Sequence, residues 1–234
     1  MSIQTQAKPP NNTFLELIFN IVIPSVILMK LSGPEYLGSV YALVVALLFP
    51  LSYGLYDFIK NKSMNFISLL GFLSTLLTGG IGLFELDVQW LAIKEAAIPS
   101  VIGLVVLISG FWGKPLIAKI LLNPVLFNLD LIYQTLSNHG KTDVFKAKIQ
   151  WANHLLSVTF VFSATMNYLL AKWIVVSPAG TTKFNEQLGE MTMLSYPVIA
   201  IPSMVMLGAI MFYVVKSVMK LTGLKFDQIL NAAN

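Results

Sequence analysis

The sequence predicts an all-α, polytopic membrane fold of six transmembrane helices with proline kinks. Three observations predict it. The 234 residues are 56% hydrophobic and only 11% charged, with a mean hydropathy of +0.75. Soluble domains average about 25% charged residues, so this chain lacks the polar surface to stay in water. Its apolar segments reach the roughly 18 or more residues that a membrane helix needs, which is too long for barrel strands of about 10 residues. Finally, the basic residues, all lysine, gather in alternate connections between those segments.

Residues 1–13 form a polar tail with Pro9-Pro10 and Asn11-Asn12. The apolar run that follows lacks a small-residue cleavage pattern, which predicts a retained helix rather than a signal peptide. Helix 1 is expected over about 14–31, with Thr13 and Glu16 at capping-box spacing and Pro24 in mid-helix. Gly33-Pro34 turns the chain into helix 2, about 37–59, which carries Pro50 and ends near Asp57 and Lys60. Helix 3, about 64–84, has small residues at Gly71, Ser74, Thr75, Thr78, Gly79 and Gly82. Spacings of three and four put these on one side of a helix. Small residues let backbones approach closely in lipid, where hydrophobicity does not drive association. An acidic turn with Glu85 and Asp87 leads to helix 4, about 90–112, with tryptophans at both ends; an indole there keeps its N–H wet at each interface.

Residues 113–150 are the long connection. Their apolar runs are too short to span, and they mix with polar residues, which predicts amphipathic segments on the membrane surface. Asn138-His139-Gly140 marks a turn. Helix 5 is expected over about 151–176, a polar loop over 181–190, helix 6 over about 192–218 with Pro197 and Pro202, and a short tail over 219–234. The domains are therefore the tail 1–13, a transmembrane domain 14–218 and the tail 219–234.

Six helices place both termini on one side. That side would hold eleven of the fifteen lysines; only Lys30, Lys94, Lys172 and Lys183 fall on the other. The positive-inside rule then makes the termini and the 113–150 loop cytoplasmic. Glu35, Glu85, Asp87, Glu95, Glu186 and Glu190 all fall on the far side. Ile-Pro-Ser-Val occurs at 23–26 and 98–101, with Ile-Pro-Ser-Met at 201–204, a weak hint of a three-plus-three inverted repeat of the kind found in transporters.

Several chemistries are excluded or unsupported. There is no cysteine, so disulfides, thiol catalysis and thiolate metal sites are out. The net charge of +4 is accounted for by lysines flanking membrane helices, so no nucleic-acid partner is expected. His139 and Asp143 are four apart, but Gly140 between them argues against the helix a metal pair would need. Thr78-Gly79-Gly80-Ile81-Gly82 lies inside an apolar helix, where packing explains it better than phosphate binding. No catalytic residue, metal or cofactor is expected. The charged candidates are Glu85, Asp87, Lys94, Glu95, Glu186 and Glu190. Lys94-Glu95 sits one turn inside Trp90, where a charge is costly unless it is paired, hydrated or snorkelling. Glu85, Asp87, Glu186 and Glu190 are the candidate partners of Lys94. A salt bridge orienting the helix 3–4 hairpin and a substrate- or partner-facing site are the two readings of this cluster.

The hairpin resembles the bacterial intracellular septation protein A family of inner-membrane proteins. The likeness rests on Gly79-Gly80, Leu83-Phe84, the acidic turn, Trp90 and Lys94, then Lys114-Pro115-Leu116-Ile117. Trp151-Ala152, Asn167, Trp173 and Phe184-Asn185 extend it, with gaps, over roughly residues 20–190. Extra residues after helix 4 and the proline-rich helix 6 depart from that family's pattern. The resemblance implies a bacterial inner-membrane location and a role in septation or cell-envelope integrity through contacts with other envelope proteins. It implies no cofactor and no catalytic residues. The expectation is a non-enzymatic protein whose partners are the lipid bilayer and other envelope proteins; a homo-oligomer is compatible with the small-residue face. The alternatives are a small-molecule or lipid transporter, and a subunit of a larger membrane complex.

Overall fold

The computed structural model describes residues 18–61 and 66–231. The tail 1–13, the Thr13–Glu16 cap and the side chain of Asp57 lie outside the described residues. Among the described residues the secondary structure is helical, apart from one isolated antiparallel bridge between Phe127 and Leu230. A π-helical turn, Ile18–Val22, leads into α1 (Ile23–Leu31). There follow α2 (Gly38–Asn61), α3 (Phe66–Leu83), α4 (Gln89–Phe111), α5 (Leu116–Leu121), α6 (Leu129–Asn138) and α7 (Thr142–Ile174). α8 (Thr182–Ser195) runs through a second π turn, Tyr196–Ala200, into α9 (Ile201–Thr222), and α10 is Phe226–Ile229.

Four stretches are long and apolar enough to cross a membrane: Gly38–Tyr56, Gln89–Phe111, Thr142–Ile174 and Thr182–Thr222. The two other expected spans are shorter, Ile18–Leu31 and Leu69–Leu83. The first is counted from where the described residues begin. The second is counted from Leu69, where the described side chains resume. Among the described residues the chain is thus all-α, with four helices of membrane-spanning length and apolarity, and the expected spans 1 and 3 each run into residues outside the described set.

Compactness divides the chain into two interleaved units, 1–95 with 167–196 and 96–166 with 197–234. In the first, α1 packs on α8 and α2, and α2 on α3. Gly189 of α8 permits the first of these approaches: a Cβ there would stand 2.8 Å from the backbone oxygen of Ser25. Asn185, fully buried, donates to Ser32 Oγ (3.1 Å) and Ser39 O (2.7 Å). It therefore ties α8 to the ends of both neighbouring helices.

In the second unit the short helices of the long connection turn one apolar face into a protein core, while Ile120 and Tyr133 stay exposed. Ile117, Leu121, Ile132 and Leu136 are buried with Phe145 and Ile149 of α7, Val214 and Val218 of α9, and Ile229. α7 also begins nine residues before the expected start, because Phe145, Ile149, Ala152 and Leu156 form one apolar stripe at helical spacing. Asn153, fully buried, donates to Val106 O (2.6 Å) and accepts from the backbone N–H of Ile117 (3.2 Å). It satisfies an N–H that α5 leaves free at its start.

The expected polar loop 181–190 is helical as well. Thr181 accepts from Phe184 N–H as an N-cap. Phe184, Asn185, Leu188 and Gly189 then make a buried face, so the charges that suggested a loop lie on the other side of a helix.

Prolines act locally. Pro24 and Pro202 each follow a π turn and occupy the first turn of the next helix. Proline lacks an N–H and collides with the carbonyl four residues back, and a wider turn relieves that conflict. Pro50 and Pro99 lie inside uninterrupted helices. The Ile-Pro-Ser copies at 23–25 and 201–203 thus share a local structure that the copy at 98–100 lacks.

Candidate functional site

The α3–α4 hairpin lies in the first unit as far as Glu95. α3 ends in a six-residue turn: Leu86 N–H donates to Ile81 O at 3.0 Å, and Glu85 between them has φ 53°. α4 and α6 end in the same way on Gly113 and Gly140, with Lys114 bonded to Ser109 O and Lys141 to Leu136 O. Glycine is usual at this left-handed position because it has no Cβ to clash. Glu85 fills it with a side chain, whose Cγ lies 2.7 Å from where a Cβ on Gly180 would stand. Asp87 then caps α4, accepting from Gln89 N–H at 2.8 Å.

Lys94 follows one and a half turns later and is buried, with 8% of its surface exposed. Its ammonium has three protons and meets three acceptors. It donates to Thr78 Oγ1 at 2.7 Å and Ser74 Oγ at 3.2 Å, and pairs with Glu95 Oε1 at 2.6 Å. Neighbours in a helix do not ordinarily face one another. Here both long side chains turn toward the same region. The Thr78 hydroxyl proton goes to Ser74 O at 3.1 Å, which leaves its lone pairs for lysine. The result is a clamp: one cation on α4, two hydroxyls on α3, and a carboxylate that neutralises the cation.

The other charged candidates are not part of it. Glu186 pairs with Lys183, three residues earlier, at 2.9 Å. Glu85, Asp87 and Glu190 are exposed. The expectation that one of Glu85, Asp87, Glu186 or Glu190 would pair with Lys94 is corrected: the adjacent Glu95 does so, because it is already within reach on the same helix.

The small-residue face divides. A Cβ on Gly82 would overlap Leu43 Cδ2 and come within 3.3 Å of Phe184 Cε1, and one on Gly79 would stand 2.9 Å from Leu47 Cδ1. Here α3 approaches α2 closely. No described residue comes within 4 Å of a Cβ on Gly71, and the Thr75 hydroxyl donates back to Gly71 O at 3.0 Å. Among the described residues the close contacts of α3 with α2 fall in its last two turns.

Below the clamp lies a cavity of about 190 Å³, lined among others by Asn20, Ser25, Thr75, Glu95 and Thr192, with Pro24 and Pro50 in its wall. Ser25 Oγ and Asn20 Oδ1 are buried there without a hydrogen bond among the described residues. An unpaired buried hydroxyl or amide oxygen costs about 1–3 kcal/mol. Sequence reasoning did not single out Ser25. The signal was present in the repeated Ile-Pro-Ser: the hydroxyl of Ser203, in the copy with the same local structure, is also buried without a partner among the described residues.

Among the described residues no three His, Asp or Glu side chains converge as a metal site would require. His154 stacks against Phe111 at 5.9 Å, and His139 Nδ1 lies 3.3 Å from Leu221 O. Comparison with protein-family models, curated proteins and solved structures finds no match.

Proposed function

We propose that this chain is a multi-pass inner-membrane protein of the septation and cell-envelope kind, acting by binding partner proteins rather than by catalysis. The observation that carries this reading is the clamp. Every proton of the Lys94 ammonium is spent inside the hairpin, so the element that bears the family resemblance is organised to hold a shape. Around the turn it holds out Leu83, Phe84, Leu86 and Trp90, all exposed, Phe84 by 77%, interleaved with the exposed Glu85 and Asp87. An aromatic tip on a rigid hairpin is a fitting anchor for a partner at the interface. A photocrosslinking residue at Phe84 or Trp90, activated in native membranes, tests this. Discrete protein adducts are expected, and adducts with lipid alone would overturn it.

The cavity under the clamp favours a second reading, a carrier for a small polar molecule or lipid. Its unpaired Ser25 Oγ and Asn20 Oδ1, between the Pro24 and Pro50 backbones, are the polar foothold such a path needs. Flux into liposomes that Ser25→Ala abolishes, while the protein remains folded, would support it; tight liposomes under all gradients would end it.

A further inference from the structure

We infer that the groove between α7 and α9 in the second unit binds the headgroup of an anionic phospholipid. This inference is independent of what docks on the hairpin and of what fills the cavity under Lys94. The groove is about 390 Å³, and Lys148, Lys216 and Lys220 line it together with Val144, Tyr213 and Ser217. No carboxylate lines it. Elsewhere, described lysines near acids are paired: Lys94 with Glu95, Lys146 with Asp143, Lys183 with Glu186. These three have no acidic partner among the described residues. Three like charges in one groove repel, and an anion between them relieves that repulsion.

The lysines are also steered into place. Lys148 Nζ lies 5.7 Å from the centre of the Tyr213 ring, and Lys216 Nζ 5.7 Å from that of Phe212. Such cation–π contacts hold a flexible ammonium near one position. The Ser217 hydroxyl proton goes to Tyr213 O at 2.7 Å, so its oxygen presents lone pairs only and the ammonium groups supply the donors. A helix C-terminus alone favours lysine, which accounts for Lys220 in the last turn of α9. It does not account for Lys148, in the second turn of another helix, facing the same groove.

A lipid fits better than a soluble anion for two reasons. Both walls belong to helices apolar enough to cross a membrane, Thr142–Ile174 and Thr182–Thr222. And the groove floor is mainly apolar, while Phe212 (67% exposed) beside it offers a surface for an acyl chain. Lysines at the ends of membrane helices are the usual readers of lipid phosphate. Each contributes roughly five-fold, so three give on the order of 100-fold preference over a zwitterionic lipid.

The test is native mass spectrometry of the full chain in detergent, titrated with phosphatidylglycerol or phosphatidylcholine of matched acyl chains. The parent should retain phosphatidylglycerol at least ten-fold better. The variant K148Q/K216Q/K220Q should lose that preference, and K148R/K216R/K220R should keep it. K114Q/K119Q/K225Q, which removes three lysines outside the groove, should also keep it. Equal retention of both lipids by the parent would overturn the inference. So would a loss in the K114Q/K119Q/K225Q protein as large as in the groove variant, which would mean diffuse charge. Displacement of the lipid from the parent by millimolar inorganic phosphate would assign the groove to a soluble anion instead. The two measurements on the parent stand even if the glutamine variant fails to fold.

Discussion

Replacing Lys94 with Met keeps the reach and apolar bulk of the side chain and removes its charge. Glu95 is then left without its cation, and Ser74 Oγ and Thr78 Oγ1 lose the N–H groups they accept. Removing one member of a buried ion pair costs about 3–5 kcal/mol. The Glu95 side chain keeps 22% of its surface exposed, so partial rehydration lowers the expected cost to about 2–3 kcal/mol. In a chain of this size each kcal/mol moves Tm by about 2–4 °C, which gives a fall of roughly 4–12 °C. The double variant Lys94→Met, Glu95→Gln removes both charges and should return to within about 1 kcal/mol of the parent, because a neutral amide carries far less desolvation cost than a carboxylate. Thermal unfolding of the purified chain in detergent, followed through its four tryptophans, reads both. The reasoning fails if the single variant unfolds within 2 °C of the parent (about 1 kcal/mol or less). It fails equally if the double variant is no more stable than the single one, since the stranded carboxylate would then not be the cause.

Three further outcomes follow from packing and backbone geometry. Gly189→Ala should lose about 1–3 kcal/mol, because the new methyl meets the Ser25 backbone oxygen at 2.8 Å and backbone does not yield; Gly71→Ala, with open space around it, should be neutral or gain up to about 1 kcal/mol from helix propensity, and comparative melting separates the two. Glu85→Gly should raise Tm by about 2–4 °C, since it removes the roughly 1 kcal/mol that a side chain at φ 53° costs; an unchanged or lower Tm would show that Glu85 makes up the strain against Gly180. Asn153→Ala strands the Ile117 N–H in a fully buried place, while Val106 O keeps the Ser109 hydroxyl, and should cost about 1–3 kcal/mol, with faster amide exchange at Ile117 as the local signature.

Much of the helical layout was legible because apolar length is a strong signal. The expected helices 2 and 4 match α2 and α4 to within two residues. Hydropathy was blind to elements whose polar residues face away from a protein core. Residues 182–190 read as a loop because Lys183, Glu186 and Glu190 are charged, yet Phe184 and Leu188 on the other face are buried. Residues 142–150 carry two lysines and were set aside for the same reason, although Phe145 and Ile149 continue the stripe of α7. At the site, Lys94 stood out as a charge in an apolar helix. Its partners did not, because periodicity alone does not say which hydroxyls of α3 face which turn of α4. The acids that looked available do not pair with it, and the one that does is its sequence neighbour.

That adjacency bears on how the hairpin enters a membrane. A lone ammonium in α4 would resist leaving water until another helix arrived with a counter-charge. Lys94 brings its own in Glu95, one residue on, so the segment can leave water as a near-neutral pair before any other helix is in place. The hydroxyls of Ser74 and Thr78 are then needed only to finish the ammonium's coordination, and they sit on α3, which is made first. Assembly in chain order then needs no other counter-charge: the Ser74 and Thr78 hydroxyls of α3 precede α4 in the sequence, Thr78 is bonded to its own backbone, and Lys94 completes its coordination on them. A chain with Glu95 moved elsewhere in the sequence would reach the same final contacts but would have to carry a bare charge through the step before them.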